Sequence, residues 1–328
     1  MSGADPQTTQ WNPTPILDER LLREQRDRFS LVILNQPIHN IPLFLDLWKR
    51  ATVRIAADGG ANRVRAIRAD LPPAGPPLDF IVGDLDSLRS ETRAWFLQQP
   101  GLGPAGRQQQ IIEIEDQDST DFAKAVKHAR ELSQKRARGR PSAGSSHDQV
   151  EDIICYSGLG GRVDQAMSQL HHLYMFQQRR GPSDVTSNES AETEARERPE
   201  NGDGHASGRM YLTNGESLTF VLLAGRHAIR IRDKLDVHED APIPTNIKAE
   251  EASRPESKPN VFGKHVGIIP LAGPSLLTTR GLEWDVRDWR TEFGGRMSTS
   301  NHTTPGSDVV EVETSRDVLF TIDIPVLV

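Results

Sequence analysis

The stretch Ile153-Ile154-Cys155-Tyr156 runs directly into Ser157-Gly158-Leu159-Gly160-Gly161-Arg162 and then into Val163-Asp164-Gln165-Ala166-Met167. Four apolar residues in a row suit a strand buried on both faces, and the glycines suit a tight turn. Beyond them Val163, Ala166, Met167, Leu170, Leu173 and Tyr174 recur at helical spacing. The unit is therefore strand, turn, helix. The same grammar extends toward the N-terminus. Apolar runs at 31–34, 53–57, 80–82 and 111–114 read as strands, and Phe122, Ala125, Val126, Ala129 and Leu132 mark a helix. Short apolar runs alternating with amphipathic stretches build a mostly parallel sheet covered by helices, so residues 29–180 read as an α/β domain.

Past this region the composition changes. Residues 181–208 carry Glu, Ser, Gly and Asn and almost no large apolar side chains, which predicts a disordered linker. From 209 to 328 helical periodicity is lost, and apolar runs at 218–223, 228–231, 266–269, 309–312 and 319–324 predict an all-β half. A polar insertion at about 233–260 interrupts it as a surface excursion. Residues 1–28 are polar and proline-containing and read as a flexible tail without a secretory signal. At 328 residues the chain is longer than one hydrophobic core usually serves, in keeping with two domains.

Charge and cysteine usage exclude several classes. A formal net charge of −7 creates no global attraction for polyanions, and the basic run at 135–140 reads as the solvated end of a helix, so no nucleic-acid partner is expected. Cys155 is the single cysteine, which excludes an intrachain disulfide and a cysteine-based zinc site. No run approaches the ~18 apolar residues of a membrane span. A cytoplasmic protein without a membrane partner is the expectation.

The chemistry-bearing residues gather where strands are predicted to end, the place where open α/β sheets bind ligands. Asp58-Gly59-Gly60-Ala61-Asn62 follows one strand and opens a helix, either as a simple turn or as a close approach to phosphate. Gly83-Asp84-Leu85-Asp86-Ser87 follows the next. Two carboxylates two residues apart can point the same way, and like charges so close need a cation, which suggests Mg²⁺. Alternatively Asp84 makes an Asx turn and Asp86 caps a helix. In Asp116-Gln117-Asp118-Ser119-Thr120-Asp121, Asp118 or Ser119 is a credible N-cap, yet Asp116, Asp118 and Asp121 together would repel one another without a metal or a basic ligand. Lys124 reaches a phosphate or pairs with Asp121. The glycine-rich turn at 157–161 fails the dinucleotide fingerprint because Val163 stands where the third glycine belongs, and no P-loop occurs. In the β half, Glu283, Trp284 and Asp285, with Met297-Ser298-Thr299-Ser300-Asn301, form polar-aromatic sites where an indole can stack on an aromatic ligand. His171 and His172 read as packing or surface residues.

Taken together and in this order, these motifs resemble the thiamine pyrophosphokinase family. The resemblance implies an α/β catalytic domain followed by a β-sandwich, assembled as a homodimer with thiamine between the first domain of one subunit and the second of the other. It implies Mg²⁺ held by Asp84, Asp86 and Asp121, and ATP contacts from Asp58, Gly59, Asn62, Gln117, Asp118, Thr120, Lys124 and Arg162. Trp284, Ser298, Ser300 and Asn301 would face thiamine, with Glu283 standing where the family often has Lys. The implied reaction passes the pyrophosphoryl group of ATP to the thiamine hydroxyl, releasing AMP, with Asp121 or Asp164 taking the proton. The competing readings are a sugar-nucleotide transferase using the Asp-x-Asp pair, and a vitamin- or nucleotide-binding regulator without catalysis.

Overall fold

The computed structural model describes residues 8–17, 28–72, 75–98, 110–138, 151–177, 208–232 and 261–325. The chain opens with strand β1 (Thr9–Trp11) and the single turn α1 (Thr14–Leu17). Strands β2 (Phe29–Ile33), β3 (Val53–Ala57), β4 (Phe80–Gly83), β5 (Gln110–Glu113) and β6 (Asp152–Tyr156) then alternate with helices α2 (Ile41–Arg50), α3 (Gly60–Ala66), α4 (Ser90–Gln98) and α5 (Asp121–Arg138), and α6 (Val163–Gln177) follows β6. The remainder is β7 (Met210–Thr213), β8 (Ser217–Leu222), β9 (Gly225–Arg230), β10 (His265–Ile269), β11 (Ser275–Arg280), β12 (Trp289–Thr291), β13 (Ser298–His302), β14 (Val309–Thr314) and β15 (Val318–Asp323).

One ten-stranded sheet, ordered β13-β10-β15-β8-β7-β6-β2-β3-β4-β5, runs through both halves. From β7 to β5 all neighbours are parallel, and from β7 to β13 all are antiparallel. Strand alternation sends Leu31 and Ile33 to one face, where they meet Phe44, Leu47 and Trp48 of α2. Val32 goes to the other, where it meets Phe122 and Val126 of α5 and Leu173 of α6. Full burial of one such side chain is worth about 1.5–3 kcal/mol, which is why the central strands read as mostly continuous apolar runs. Helix α2, which periodicity had not revealed, is started by Asn40: its backbone lies in the left-handed region (φ 50°), and its side chain accepts from Leu43 N at 3.3 Å.

A second sheet, β1-β9-β14-β11-β12, covers the antiparallel half. In β14 Val310 and Val312 are buried while Glu311 and Glu313 are exposed, the period of two expected of a sheet with one wet face. Ile229, Leu277, Val310 and Val312 pack with Phe220, Val266, Phe320 and Ile322 of the large sheet in a cluster that continues without interruption to the helices α2 and α3. The all-β expectation is met as a sandwich.

Two boundaries differ from the sequence expectation. The stretch read as a flexible tail contains β1, which pairs in parallel with β9, and Trp11, 1% exposed, stacks on Phe220 at 4.6 Å between ring centroids and donates to His227 Nδ1 at 3.0 Å. Three residues were too short a run to show this. The division near 209 falls between β6 and β7, which are hydrogen-bonded neighbours, because β7 adds to the parallel sheet before the chain turns antiparallel. Residues 181–207 of the expected linker and the expected insertion at 233–260 lie outside the described residues. Among those described, no helix is long and apolar enough to cross a membrane.

Candidate active site

From β2 the chain steps through β3, β4 and β5 on one side and returns to β6 and β7 on the other. The carboxyl ends of β2 and β6 therefore flank a topological switch point, where a crevice opens. Three of the acidic motifs end on the β3–β5 side of it. Asp58 leaves β3 with φ 41°, a left-handed conformation uncommon for any residue with a side chain, and its amide donates to Val82 O at 2.9 Å. Asp84 follows β4, and Asp121 is the first residue of α5. One oxygen from each of Asp58, Asp84 and Asp121 lies within 4.8 Å of the others.

The packing around them is close. A Cβ on Gly83 would come within 2.7 Å of Asp58 Cβ and 2.8 Å of Asp121 Oδ1, so only glycine lets the two acids approach across the end of β4. The Asp121 Oδ1 accepts the Asp84 amide at 3.1 Å, and Asp58 Oδ2 accepts the Ser87 amide at 3.0 Å. Burial pushes the Asp58 carboxyl up to about 6; the Ser87 hydrogen bond opposes this, and Asp121, Asp86 and Asp84 add to it. Its second oxygen is buried without a hydrogen-bond partner. Lys124, 3% exposed, sets its ammonium 3.4 Å from Asp121 and 3.7 Å from Asp84. One ammonium against three carboxylates leaves negative charge uncompensated, and the orphaned Asp58 oxygen adds a free ligand. The donor set is all oxygen, which suits a hard divalent cation.

Asp86, expected beside Asp84 as a ligand, is outside this cluster. The expectation assumed strand alternation, but β4 ends at Gly83 and Leu85 turns left-handed (φ 67°), so the two acids diverge. Asp58 takes the third place instead. Asp86 accepts from Ser87 Oγ at 2.8 Å, and its amide donates to Asp84 Oδ1 at 3.3 Å, an Asx turn that coexists with Asp84's place in the cluster. Asn62 is also occupied: its amide donates to Ser87 O at 2.8 Å and accepts from Arg89 N at 3.2 Å, bracing the loop that carries Asp84. Gly59 abuts Asn35 of the loop after β2, and Arg63 donates to Asn35 at 2.9 Å. Asn35 and Arg63 went unread; only their position beside the central strand could have signalled them.

The N-cap of α5 is Thr120 rather than Asp118 or Ser119, for its hydroxyl accepts the Ala123 amide at 3.2 Å. Gln117 and Asp118 lie exposed in the preceding loop, where Asp116 accepts the Asp118 amide at 2.9 Å. Arg162 and Asp164, at the start of α6, are exposed and form an ion pair, the guanidinium holding the Asp164 carboxyl below the usual range. The turn before them touches the loop after β2: a Cβ on Gly161 would meet Gln36 at 2.9 Å.

The polar-aromatic residues of the β half meet elsewhere. A cavity of about 340 Å³ opens between the two sheets, lined by Ile268, Leu277, Trp284, Trp289, Ser298 and Ser300 among others. Trp284 is 53% exposed, with His302 5.0 Å from its ring centroid. Asn301 also borders the cavity, but its amide clasps the Trp284 backbone, accepting from N at 3.1 Å and donating to O at 2.8 Å. Glu283 accepts from or pairs with His302 Nδ1 at 2.7 Å. The rest of the lining, from β10, β11 and β12, was not legible as a site because those residues look like ordinary strand core.

With this geometry in place, comparison with known proteins is specific. Residues 44–182 match the family model described as thiamin pyrophosphokinase, catalytic domain, and residues 247–319 match thiamin pyrophosphokinase, vitamin B1 binding domain. Thiamine pyrophosphokinase 3 of Oryza sativa subsp. japonica is 29% identical over 306 residues, covering 90% of this chain and 87% of that protein. Thiamine pyrophosphokinase of Saccharomyces cerevisiae is 22% identical over 346 residues, covering 94% and 89%. Among solved structures, thiamin pyrophosphokinase from Candida albicans superposes with a TM-score of 0.64 at 22% identity, covering 99% of this chain and 96% of that one, a likeness of fold.

Proposed function

Since the chain belongs to the thiamine pyrophosphokinase family, and so makes thiamine diphosphate from thiamine and ATP, we propose that Asp58, Asp84 and Asp121 hold the ATP phosphates through Mg²⁺ and that the cavity beside Trp284 takes thiamine. The observation that carries this reading is the convergence of three carboxylates from consecutive strand ends on one point, with a single buried lysine beside them. A bound Mg²⁺ would neutralise phosphate charge and polarise the phosphorus under attack.

The remaining work falls to the chain. Lys124 holds Asp84 and Asp121 in place and offers its charge to the phosphates; Arg162, exposed at the turn after β6, can exchange Asp164 for a phosphate oxygen. Gln117, Asp118 and Thr120 border the same strand ends and are the proposed nucleotide contacts of that loop. The thiamine hydroxyl oxygen bonds to the β-phosphorus of ATP, the bond from that phosphorus to the α-phosphate oxygen breaks, and AMP departs. The hydroxyl proton passes to a carboxylate. Asp121, beside the reacting phosphates, and Asp164, once Arg162 has left it for a phosphate oxygen, are the two candidates.

Among the described residues the cavity and the acidic cluster have no lining residue in common, which supports a site completed between two copies of the chain. We propose the homodimer on that basis, and a cytoplasmic location from the single, buried cysteine. Incubation with thiamine, ATP and Mg²⁺ should yield thiamine diphosphate and AMP; release of ADP, or turnover of a sugar nucleotide instead, would refute the assignment. With thiamine far below the wild-type KM, Trp284→Ala and Asp84→Asn chains refolded together should be more active than the same chains refolded apart and then combined, if the sites are shared. Heterodimers that form without that gain would place both residues in one subunit's site.

A further inference from the structure

His172 lies in the middle of α6, 6% exposed, and takes no part in the mechanism above. Its Nδ1 is 2.6 Å from the Ser168 carbonyl oxygen. A carbonyl only accepts, so Nδ1 carries the proton and Nε2 is left as a bare acceptor. Nε2 is 2.8 Å from Thr120 Oγ1, so the Thr120 hydroxyl donates to it. That same oxygen accepts the Ala123 amide and caps α5. The hydroxyl is thus used at both ends, its proton tied to α6 and its lone pair tied to α5. The Thr120 carbonyl in turn accepts the Lys124 amide at 3.0 Å, and Asp121 is the next residue.

We infer that His172 is a positioning residue for the metal-binding end of α5: through Thr120 it fixes the first turn of that helix, and with it the Asp121 carboxylate and the Lys124 ammonium. Packing alone does not call for a histidine here. The ring is flanked by Phe122 at 5.3 Å and Phe176 at 6.2 Å, and an apolar residue would suit those neighbours as well. What the imidazole adds is an acceptor held in one direction by its other nitrogen. Without it the hydroxyl of Thr120, an exposed residue, turns to water, which holds it in no one direction, and the cap is free to rotate away. Burial lowers the pKa of His172, which keeps the ring in the neutral form this geometry requires. The inference rests on the reading of the acidic cluster as a cation site, and the experiment separates the two.

Mn²⁺ binding to the full-length, nucleotide-free protein should be measured by titration calorimetry for wild type, His172→Leu, His172→Gln and Asp121→Asn. Partners one step behind a metal ligand typically change affinity by about 10–100-fold, and His172 acts from one step further, so His172→Leu should weaken Mn²⁺ about tenfold while leaving the thiamine KM unchanged. His172→Gln, whose Oε1 can accept the Thr120 proton, should recover most of the loss. Thr120→Val should weaken binding as much as His172→Leu, and the two combined should lose no more than either alone. Wild-type affinity in a folded His172→Leu protein, equal losses in the Leu and Gln variants, or additive losses in the double variant would overturn the positioning role. If His172→Leu does not fold, Thr120→Ser against Thr120→Val decides: serine keeps the hydroxyl and should keep the affinity, and equal losses overturn the role. Should wild type bind no Mn²⁺, or Asp121→Asn bind it equally well, the cation-site reading itself falls, and the role of His172 with it.

Discussion

Asp58 carries an electrostatic cost, a buried carboxyl pushed up to about 6 in a left-handed backbone conformation. Unfolded, the same group titrates near 3.8, so the folded chain keeps a proton that the unfolded chain gives up. The stabilisation from that proton is complete below about 3.8 and disappears as pH rises through about 6. In metal-free protein Asp58→Asn should therefore raise Tm at about pH 7.5 and do little at about pH 3.5, as scanning calorimetry in chelator would show, while abolishing turnover. An equal gain at both values would mean that the carboxyl is not perturbed. The second residue-scale prediction concerns Trp284. Stacking of aromatic rings is worth about 0.5–1.5 kcal/mol beyond area burial, so Trp284→Ala should raise the thiamine KM roughly 2- to 12-fold and leave the ATP KM nearly unchanged. Asn301→Ala should act in the same direction, because it frees the backbone that presents the indole.

At the scale of elements, β1 and α1 form a strap from β9 of the second sheet to α2. Trp11 is enclosed by Phe220 and Tyr211, with Arg209 over its ring, while Arg50 of α2 donates to the carbonyls of Pro15 at 3.0 Å and Ile16 at 2.6 Å. Emptying so buried a site leaves a cavity, and large-to-small changes of this kind cost about 3–5 kcal/mol. Trp11→Ala should show that loss in denaturant unfolding while the KM for both substrates holds. A loss below about 1 kcal/mol would mean that the strap detaches in solution. Helix α5 shows the converse case. Its apolar stripe was plain in the sequence, but its start was not, since several of the residues ahead of it can cap and only the fold selects Thr120.

For the whole molecule, the ten-stranded sheet joins what the sequence divides in two. β7 pairs with β6 on one side and β8 on the other, and one apolar cluster runs from α2 through the sandwich to β11. Shared hydrogen bonds and a shared core couple unfolding of the halves. Scanning calorimetry should record a single transition whose van't Hoff and calorimetric enthalpies agree; two resolved transitions would restore independent domains.

The sequence alone was sufficient for the local grammar: buried parallel strands ending in acidic turns, the apolar faces of α5 and α6, and the order of motifs that identifies the family. Such signals survive in isolation because burial and helical period act on neighbouring residues. What tertiary structure decided depends on contacts between distant residues or on a single backbone angle. Leu85 in the left-handed region turns Asp86 out of the cluster and leaves the third place to Asp58, 26 residues before Asp84 in the chain. His172 meets Thr120 across two helices separated by a strand, and Trp11 meets His227 across 216 residues. No window of sequence contains both partners of these pairs, so only the packed sheet, by bringing the strand ends and helices together, determines which polar groups are committed to each other and which remain for a ligand.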